Sequence, residues 1–600
     1  MEKNTLIISL TFLLLQFLGG SLQAQPKTDR PNVIVVITDD QGYGDLGCHG
    51  NPIVKTPAID AFYKKSVRLT DFHVGPTCAP TRAGLLTGRY ANRTGVWHTI
   101  GGCSILRKEE VTVADIFADG GYETALFGKW HLGDTYPSRP QDKGFKHVVT
   151  HGGGGVGQTP DSWNNDYFDD IYLVNGEPKK FAGYCTDVWF DEAINYIEDQ
   201  KDKPFFCYIS TNAPHSPFNV PLKYYEPYKD LDIPEFQKRF YGMITNVDDN
   251  FKRLEEALRK LKLDENTIVI FMTDNGTSAG YRKQDGKLYG YNAGMKGTKN
   301  SEYEGGHRVP FFIAYPNGKI GDGKDVSAVT ANVDLLPTLA SLCSLDLPKR
   351  DLDGTDISAL MKGEKKKLDR KYLITDSQRM QEPVKWNKSA VMSEKWRLVN
   401  GKELYDLTTD PGQEKDLAAV NPVKVETMRG YYDEWWKSVS TQFSSYPIII
   451  LGDEKQNPTA FTCHDSHVVS SVIPWHQNHI RDGKKNPFGG EYIVAFAESG
   501  TYEITMSRWP LESDLAINAG LEKGMDAAIN YDAISPGKAF NFVKGGVKIG
   551  GWKQVMKVEK DAKSLVFRGY FPEGQANLRA WFTTAAKEDW GAFYLKVEKI

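Results

Sequence analysis

The 600-residue chain carries 73 basic and 77 acidic residues, a formal net charge of −4, with 40% hydrophobic and 25% charged positions. That composition excludes a disordered chain and a collagen-like repeat, and the length suits two or three domains rather than one. Without a basic surplus, charge gives no reason to expect nucleic acid or an anionic membrane surface as a partner.

At the N-terminus, Glu2 and Lys3 precede an apolar run from Leu6 to Leu18, followed by Ser21-Leu22-Gln23-Ala24 with a small residue where a signal peptidase cuts. This order predicts a secretory signal over residues 1–24, since the run is too short for a membrane span. No later stretch reaches the roughly 18 apolar residues of a transmembrane helix. No Cys follows the run closely, which argues against a lipid anchor. The expectation is an exported protein, periplasmic or secreted, with no membrane span. Seven cysteines, at 48, 78, 103, 185, 207, 343 and 463, are few and odd in number for such a chain, so they do not form a dense disulfide framework.

The first element is the run Val33-Ile34-Val35-Val36-Ile37, which ends in Thr38-Asp39-Asp40. Next, Cys78-Ala79-Pro80-Thr81-Arg82 leads to Thr87-Gly88. Pro80 fits the first turn of a helix, which puts Cys78 at its positive end and Arg82 on the same face. That stretch is either a reactive Cys beside an anion site or a capped helix with an incidental thiol. Gly121 to His131 follows, containing Lys129-Trp130-His131. A second apolar run, Phe205 to Ser210, leads to His215. From Tyr241 through Ile244, Val247, Phe251, Leu254 and Leu258 to Leu261, apolar residues recur every three or four positions, which predicts one amphipathic helix. A third run, Ile268 to Met272, ends in Thr273-Asp274-Asn275. Continuous apolar runs alternating with helical stripes predict an α/β fold. Its mostly parallel central sheet is sandwiched by helices, with ligands bound beyond the carboxyl ends of the strands.

After about residue 350 the pattern changes. Trp396-Arg397-Leu398-Val399 and Glu403 to Leu407 predict a hairpin, Tyr431 to Trp436 an aromatic-rich helix, and the Ser-rich stretch 438–445 a linker. Short alternating strands from about 450 onward, such as Tyr492 to Phe496 and Tyr502 to Met506, predict a β-rich appendage. The expected division is a catalytic domain over 25–350, a small α+β subdomain over 351–445 and an accessory domain over 446–600. Within the last, Cys463-His464-Asp465-Ser466-His467 and Trp475-His476-Gln477-Asn478-His479 are dense in ligand types. They lack a closed four-ligand zinc pattern, and a carbohydrate-contacting rim or plain loop structure are the other readings.

Two of these stretches carry a resemblance. Cys78-x-Pro80-x-Arg82 running to Thr87-Gly88, and Gly121 to His131 with its Gly128-Lys129-Trp130-His131 ending, resemble the two signatures of formylglycine-dependent sulfatases of the alkaline-phosphatase-like superfamily. The resemblance spans roughly residues 30 to 440. It implies hydrolysis of a sulfate ester, with a sulfated glycan as the favoured substrate and an arylsulfatase of broad small-molecule specificity as the alternative. It also implies that a maturation enzyme converts Cys78 to Cα-formylglycine, whose hydrate is the nucleophile. Carried over position by position, Asp39, Asp40, Asp274 and Asn275, with Cys78, resemble the ligands of a divalent cation. Oxygen donors of this kind suit Ca²⁺, or Mg²⁺, before zinc. Arg82, Lys129, His131, His215 and Lys296, the last in Met295-Lys296-Gly297-Thr298-Lys299, resemble the groups that bind sulfate and move protons. A phosphatase on the same fold fits less well, because it would use Ser or Thr and two zinc ions with His ligands. Rim segments that would meet the sugar are Val96 to His98, His151 to Gly157, Trp163 to Asn165 and Glu304 to Arg308.

Overall fold

The computed structural model describes residues 30–467, 473–483, 490–522 and 534–600. The expected leader over residues 1–24 lies outside the described residues. Among the described residues, no helix is long and apolar enough to cross a membrane.

Four strands make the centre of the molecule: β1 (Asn32–Thr38), β2 (Glu123–Gly128), β3 (Phe205–Ser210) and β4 (Thr267–Thr273). β1, β3 and β4 are the three apolar runs, buried at every position. Their β-branched and aromatic side chains fit a pleated surface covered on both faces, which is why the runs do not alternate. β1 pairs in parallel with both β3 and β4, Val35 standing opposite Tyr208 and Ile270, and β3 pairs in parallel with β2. The order β4-β1-β3-β2 occupies the middle of a ten-stranded sheet. Toward the edges pairing turns antiparallel, Phe311–Ala314 against β4 and Ile171–Val174 against His147–Thr150. The sheet is therefore parallel at its centre and mixed overall.

Alternate residues of β1 feed two apolar layers. Val33, Val35 and Ile37 join Ala79, Ala83 and Leu86 of α1 (Cys78–Thr87), whereas Ile34 and Val36 join Met243, Val247 and Phe251 of α2 (Glu235–Leu261). α2 is the helix foreseen from the apolar stripe. Burial of that stripe supplies most of its stability, since a helix in isolation is marginal.

Beyond this body a four-stranded antiparallel sheet spans Leu373–Asp376 to Glu403–Asp406 and contains the expected hairpin. α3 (Pro422–Ser440) carries the aromatic cluster. The Ser-rich stretch is not a free linker: Arg107 donates to the carbonyl of Ser445 at 2.9 Å and to that of Gln442 at 2.5 Å, and Phe443 is buried. Two more sheets, between Ile449 and Lys599, enclose one apolar core that includes Val494, Phe496, Ile504, Phe567 and Val597. This is the β-rich appendage. None of the seven cysteines is paired with another.

Candidate active site

Parallel pairing brings the carboxyl ends of β1 to β4 to one edge, with Thr38 level with Thr273 and Gly128 level with Ser210. The residues just past those ends are Asp39 and Asp40, Lys129 to His131, Thr211 to His215, and Asp274 and Asn275. Backbone hydrogen bonds hold them together: Asp39 N–H donates to Ala213 at 3.1 Å, Asp274 N–H to Thr38 at 3.1 Å, and Lys129 N–H to Ser210 at 2.7 Å. The last contact needs a glycine before it. Gly128 has φ +104°, and a Cβ there would stand 2.0 Å from the Ser210 carbonyl oxygen.

Onto this edge α1 directs its N-terminus. Cys78 is its first residue, preceded by the extended Thr77, and is 3% exposed. Sγ of Cys78 and carboxylate oxygens of Asp39 and Asp274 all lie within 4.8 Å of one another. One turn on, the fully buried Arg82 donates to Asp274 Oδ2 at 2.8 Å, to the Lys129 carbonyl at 3.3 Å and to Ser210 Oγ. Lys129 Nζ donates to Asp39 Oδ2 at 2.6 Å. Asp40, in the left-handed region at φ 70°, accepts from Asn275 Nδ2 at 3.0 Å and from Lys299 Nζ at 2.5 Å.

Even with these cations the carboxylates are crowded. Burial, and then the charge of Asp39, push the Asp274 carboxyl up to about 7 despite Arg82 and Lys129. Burial also works against ionisation of Asp40, but Lys299 and His215 outweigh it and hold that carboxyl well below its usual range. The same pair keeps Lys299 charged: burial pulls its amine down, and Asp40 more than reverses that. Among the described residues, Asp39 Oδ1 and Asn275 Oδ1 are buried and have no hydrogen-bond partner. Leftover hard oxygens beside a carboxyl that resists ionisation fit a divalent cation bound by Asp39, Asp40, Asp274 and Asn275, with Cys78 adjoining.

Two histidines complete the pocket. His131 Nε2 faces the Thr99 carbonyl at 2.9 Å. The tautomer that donates there leaves Nδ1 as an acceptor, and that atom is buried without a partner among the described residues. Burial first, then the charge of Lys129, hold this ring well below the usual histidine range, so it stays neutral. Gly154 lies flat against it: a Cβ at that position would meet the ring at 2.3 Å. His215 Nδ1 donates to the Ser216 carbonyl at 2.5 Å, and its Nε2 lies 3.7 Å from Asp40 Oδ2. Burial, helped by Lys299 and Lys129, lowers its pKa to about 4 although Asp40 opposes.

Of the expected site residues, the structure collects Asp39, Asp40, Cys78, Arg82, Lys129, His131, His215, Asp274 and Asn275, and leaves Lys296 out. Its amine lies 4.0 Å above the Tyr303 ring, 3.4 Å from the Tyr405 hydroxyl and 3.3 Å from the Gln413 carbonyl. Gly297, at φ +84°, turns the chain between the two lysines, and Lys299 enters the pocket with its own N–H bound to the Thr277 carbonyl at 3.1 Å. The Lys-x-x-Lys spacing was the one signal for this residue.

The proposed rim divides. Trp97 is buried and donates to the Met380 carbonyl at 3.2 Å, and Glu304 is buried against Arg397 at 2.6 Å, so both are structural. The glycine loop 151–157 meets the pocket, with Gly154 against His131 and Gly155 beside His215, whereas Trp163 and Asn164 contact the appendage at Trp509 and Gln477. The groups of the 463–467 cluster point to separate partners: Cys463 Sγ to the Pro474 carbonyl at 3.4 Å, Asp465 to the Thr462 N–H at 2.8 Å, and His467 to Gln381 at 2.9 Å. That is a capped turn rather than a zinc centre.

Comparison with known proteins agrees with this geometry. The Sulfatase family model matches residues 31–345, and the model for the C-terminal part of N-sulphoglucosamine sulphohydrolase matches residues 298–429. The chain is 31% identical over 398 residues to the ulvan-active sulfatase of Formosa agariphila, covering 62% of this chain and 72% of that protein. It is 32% identical over 386 residues to arylsulfatase A of Homo sapiens, covering 58% and 71%. Among solved structures, Ps i-CgsB in complex with k-i-k-neocarrahexaose superposes with a TM-score of 0.62 at 28% identity, covering 70% of this chain and 95% of that one.

Proposed function

This chain belongs to the sulfatase family, whose members are sulfuric ester hydrolases, and on that premise we propose that it removes sulfate from a sulfated carbohydrate chain. The observation that carries the reading is Cys78, buried at the start of α1 beside Asp39 and Asp274 and ringed by Arg82, Lys129 and Lys299. Asp39, Asp40, Asp274 and Asn275 would hold Ca²⁺, with Mg²⁺ as the alternative. That cation would supply charge neutralisation and acidify a bound hydroxyl. Maturation of Cys78 to Cα-formylglycine, by a separate enzyme, would supply a hydrated aldehyde as nucleophile.

The remaining work falls to side chains. A sulfate monoester is an anion that repels nucleophiles, so Arg82, Lys129 and Lys299 neutralise it in a pocket closed to water. His215 stands on the leaving-group side. It is neutral in the free site, and the negative charge of bound sulfate raises its proton affinity. A proton held at Nε2 then passes to the departing sugar oxygen. His131, whose Nδ1 is kept as an acceptor by the Thr99 carbonyl, takes up a proton as sulfate leaves. In sum, one water is consumed, and sulfate and a free sugar hydroxyl are released.

A carbohydrate substrate is supported by a relative named as an ulvan-active sulfatase and by a fold neighbour in complex with k-i-k-neocarrahexaose. The apolar run after Glu2 and Lys3 supports export to the periplasm or medium. The test has two parts. Mass spectrometry of the Cys78 peptide from protein matured in cells should find a residue about 18 Da lighter than Cys. Cys78→Ala should abolish turnover of every sulfate ester while binding is retained, and normal turnover in that variant would sink the reading.

A further inference from the structure

We propose that the cleft between the catalytic body and the appendage is a sugar-binding subsite, which holds a neutral, hydroxyl-bearing pyranose ring next to the sulfated one. The proposal rests on the carbohydrate reading above. The cleft has a volume of about 470 Å³ and is lined by Asn165 and Ser216 from the body and by Trp475, His476 and His479 from the appendage. Its size is within the roughly 300–1,000 Å³ of small-ligand sites, which favour domain interfaces. Its position is set by Ser216, which directly follows His215 and accepts from that ring at 2.5 Å. The cleft thus shares a wall with the group assigned to the departing sugar oxygen.

The chemistry of the lining matches a sugar. Trp475 is half-buried, and His476 and His479 meet it edge-on, with centroids 5.5 and 5.1 Å away at 86° and 89°. A fixed aromatic ring offers an apolar face to the C–H side of a pyranose at little entropic cost. His476 Nδ1 accepts the Asn478 N–H at 3.0 Å, which leaves Nε2 as an N–H donor, and burial keeps the ring neutral. A neutral donor suits a hydroxyl better than a second sulfate. The segment is also fixed in place: Thr159 N–H donates to the Trp475 carbonyl at 3.0 Å and Gln477 N–H to the Gly157 carbonyl at 3.0 Å. Both family models stop at or before residue 429, so Trp475 lies outside the residues they match.

The test compares wild type, Trp475→Ala and Trp475→Phe, each with formylglycine installed, on 4-methylumbelliferyl sulfate and on sulfated oligosaccharides derived from ulvan, carrageenan and glycosaminoglycans. For Trp475→Ala, KM on the oligosaccharide cleaved by wild type should rise about tenfold or more, while aryl sulfate turnover stays within about twofold. Trp475→Phe should recover most of the loss. An unchanged oligosaccharide KM, or equal losses on both substrates, overturns the subsite and leaves the carbohydrate reading standing. Wild type that cleaves only the aryl ester overturns the carbohydrate reading itself.

Discussion

Two buried clusters in the catalytic body draw on similar residue types and serve opposite ends. Asp39, Cys78 and Asp274 bring their ligand atoms within 4.8 Å of one another, and so do His73, Glu304 and His307. In the second cluster His73 bridges Asp71 at 2.9 Å and His307 at 3.0 Å, and Arg397 donates to Asp71 at 2.8 Å and to Glu304 at 2.6 Å. Against the upward push of burial, Arg397 holds both carboxyls below their usual range. A guanidinium already stands where a metal ion would. In the first cluster, burial and Asp39 drive the Asp274 carboxyl up to about 7, and among the described residues Asp39 Oδ1 and the adjoining Asn275 Oδ1 lack hydrogen-bond partners. The one such oxygen of the second cluster, Glu304 Oε2, lies 3.6 Å from Arg308 Nη1. What marks a cation site is therefore a carboxyl that the neighbouring cations fail to keep ionised, with oxygens left over, more than the ligand types themselves.

Removing one member of each cluster tests that distinction. Ca²⁺ should raise the Tm of the chelator-treated wild type, and Asp39→Ala should abolish that rise and lower kcat/KM by about 10³-fold. A variant that still responds to Ca²⁺ in full would break the comparison. Arg397→Met leaves Asp71 and Glu304 buried without their cation and should cost about 3–5 kcal/mol in denaturant unfolding. That loss should be the same with and without chelator, and a chelator-dependent loss would mean that the second cluster also binds metal. The finest contrast is between the two lysines. Lys299→Ala should lower kcat/KM about 10²-fold and Lys296→Ala less than about threefold, and the reverse order would return Lys296 to the pocket.

The centre of the fold was legible because parallel strands buried on both faces must be apolar throughout, as Val33 to Ile37 is. The edge strands were not: Glu177–Lys180 is exposed at every position and has no pattern to read. In the pocket, residues that directly follow a strand or begin a helix were found, since those elements fix where they point. Lys296 and Lys299 lie in a loop, where a spacing of three has no directional meaning, and only the turn at Gly297 decides between them. Density of Cys, His and Asp misleads for the same reason, since Cys463, Asp465 and His467 face three different partners. The Ser-rich stretch looked like a linker because its anchor, Arg107, is far away in sequence.

The stitching at Gln477 sets the unit in which this protein can be recombined. Its side-chain amide donates to the carbonyls of Gln158, Asp161 and Ser162 at 3.2, 3.0 and 3.1 Å and accepts from the Asn164 N–H at 3.1 Å. Arg481 lies 4.2 Å over Trp163. A chimera that moves the appendage onto another catalytic body must therefore carry the 152–165 loop with it. That loop ends against His131 through Gly154, so exchanging the accessory module also exchanges one wall of the catalytic pocket.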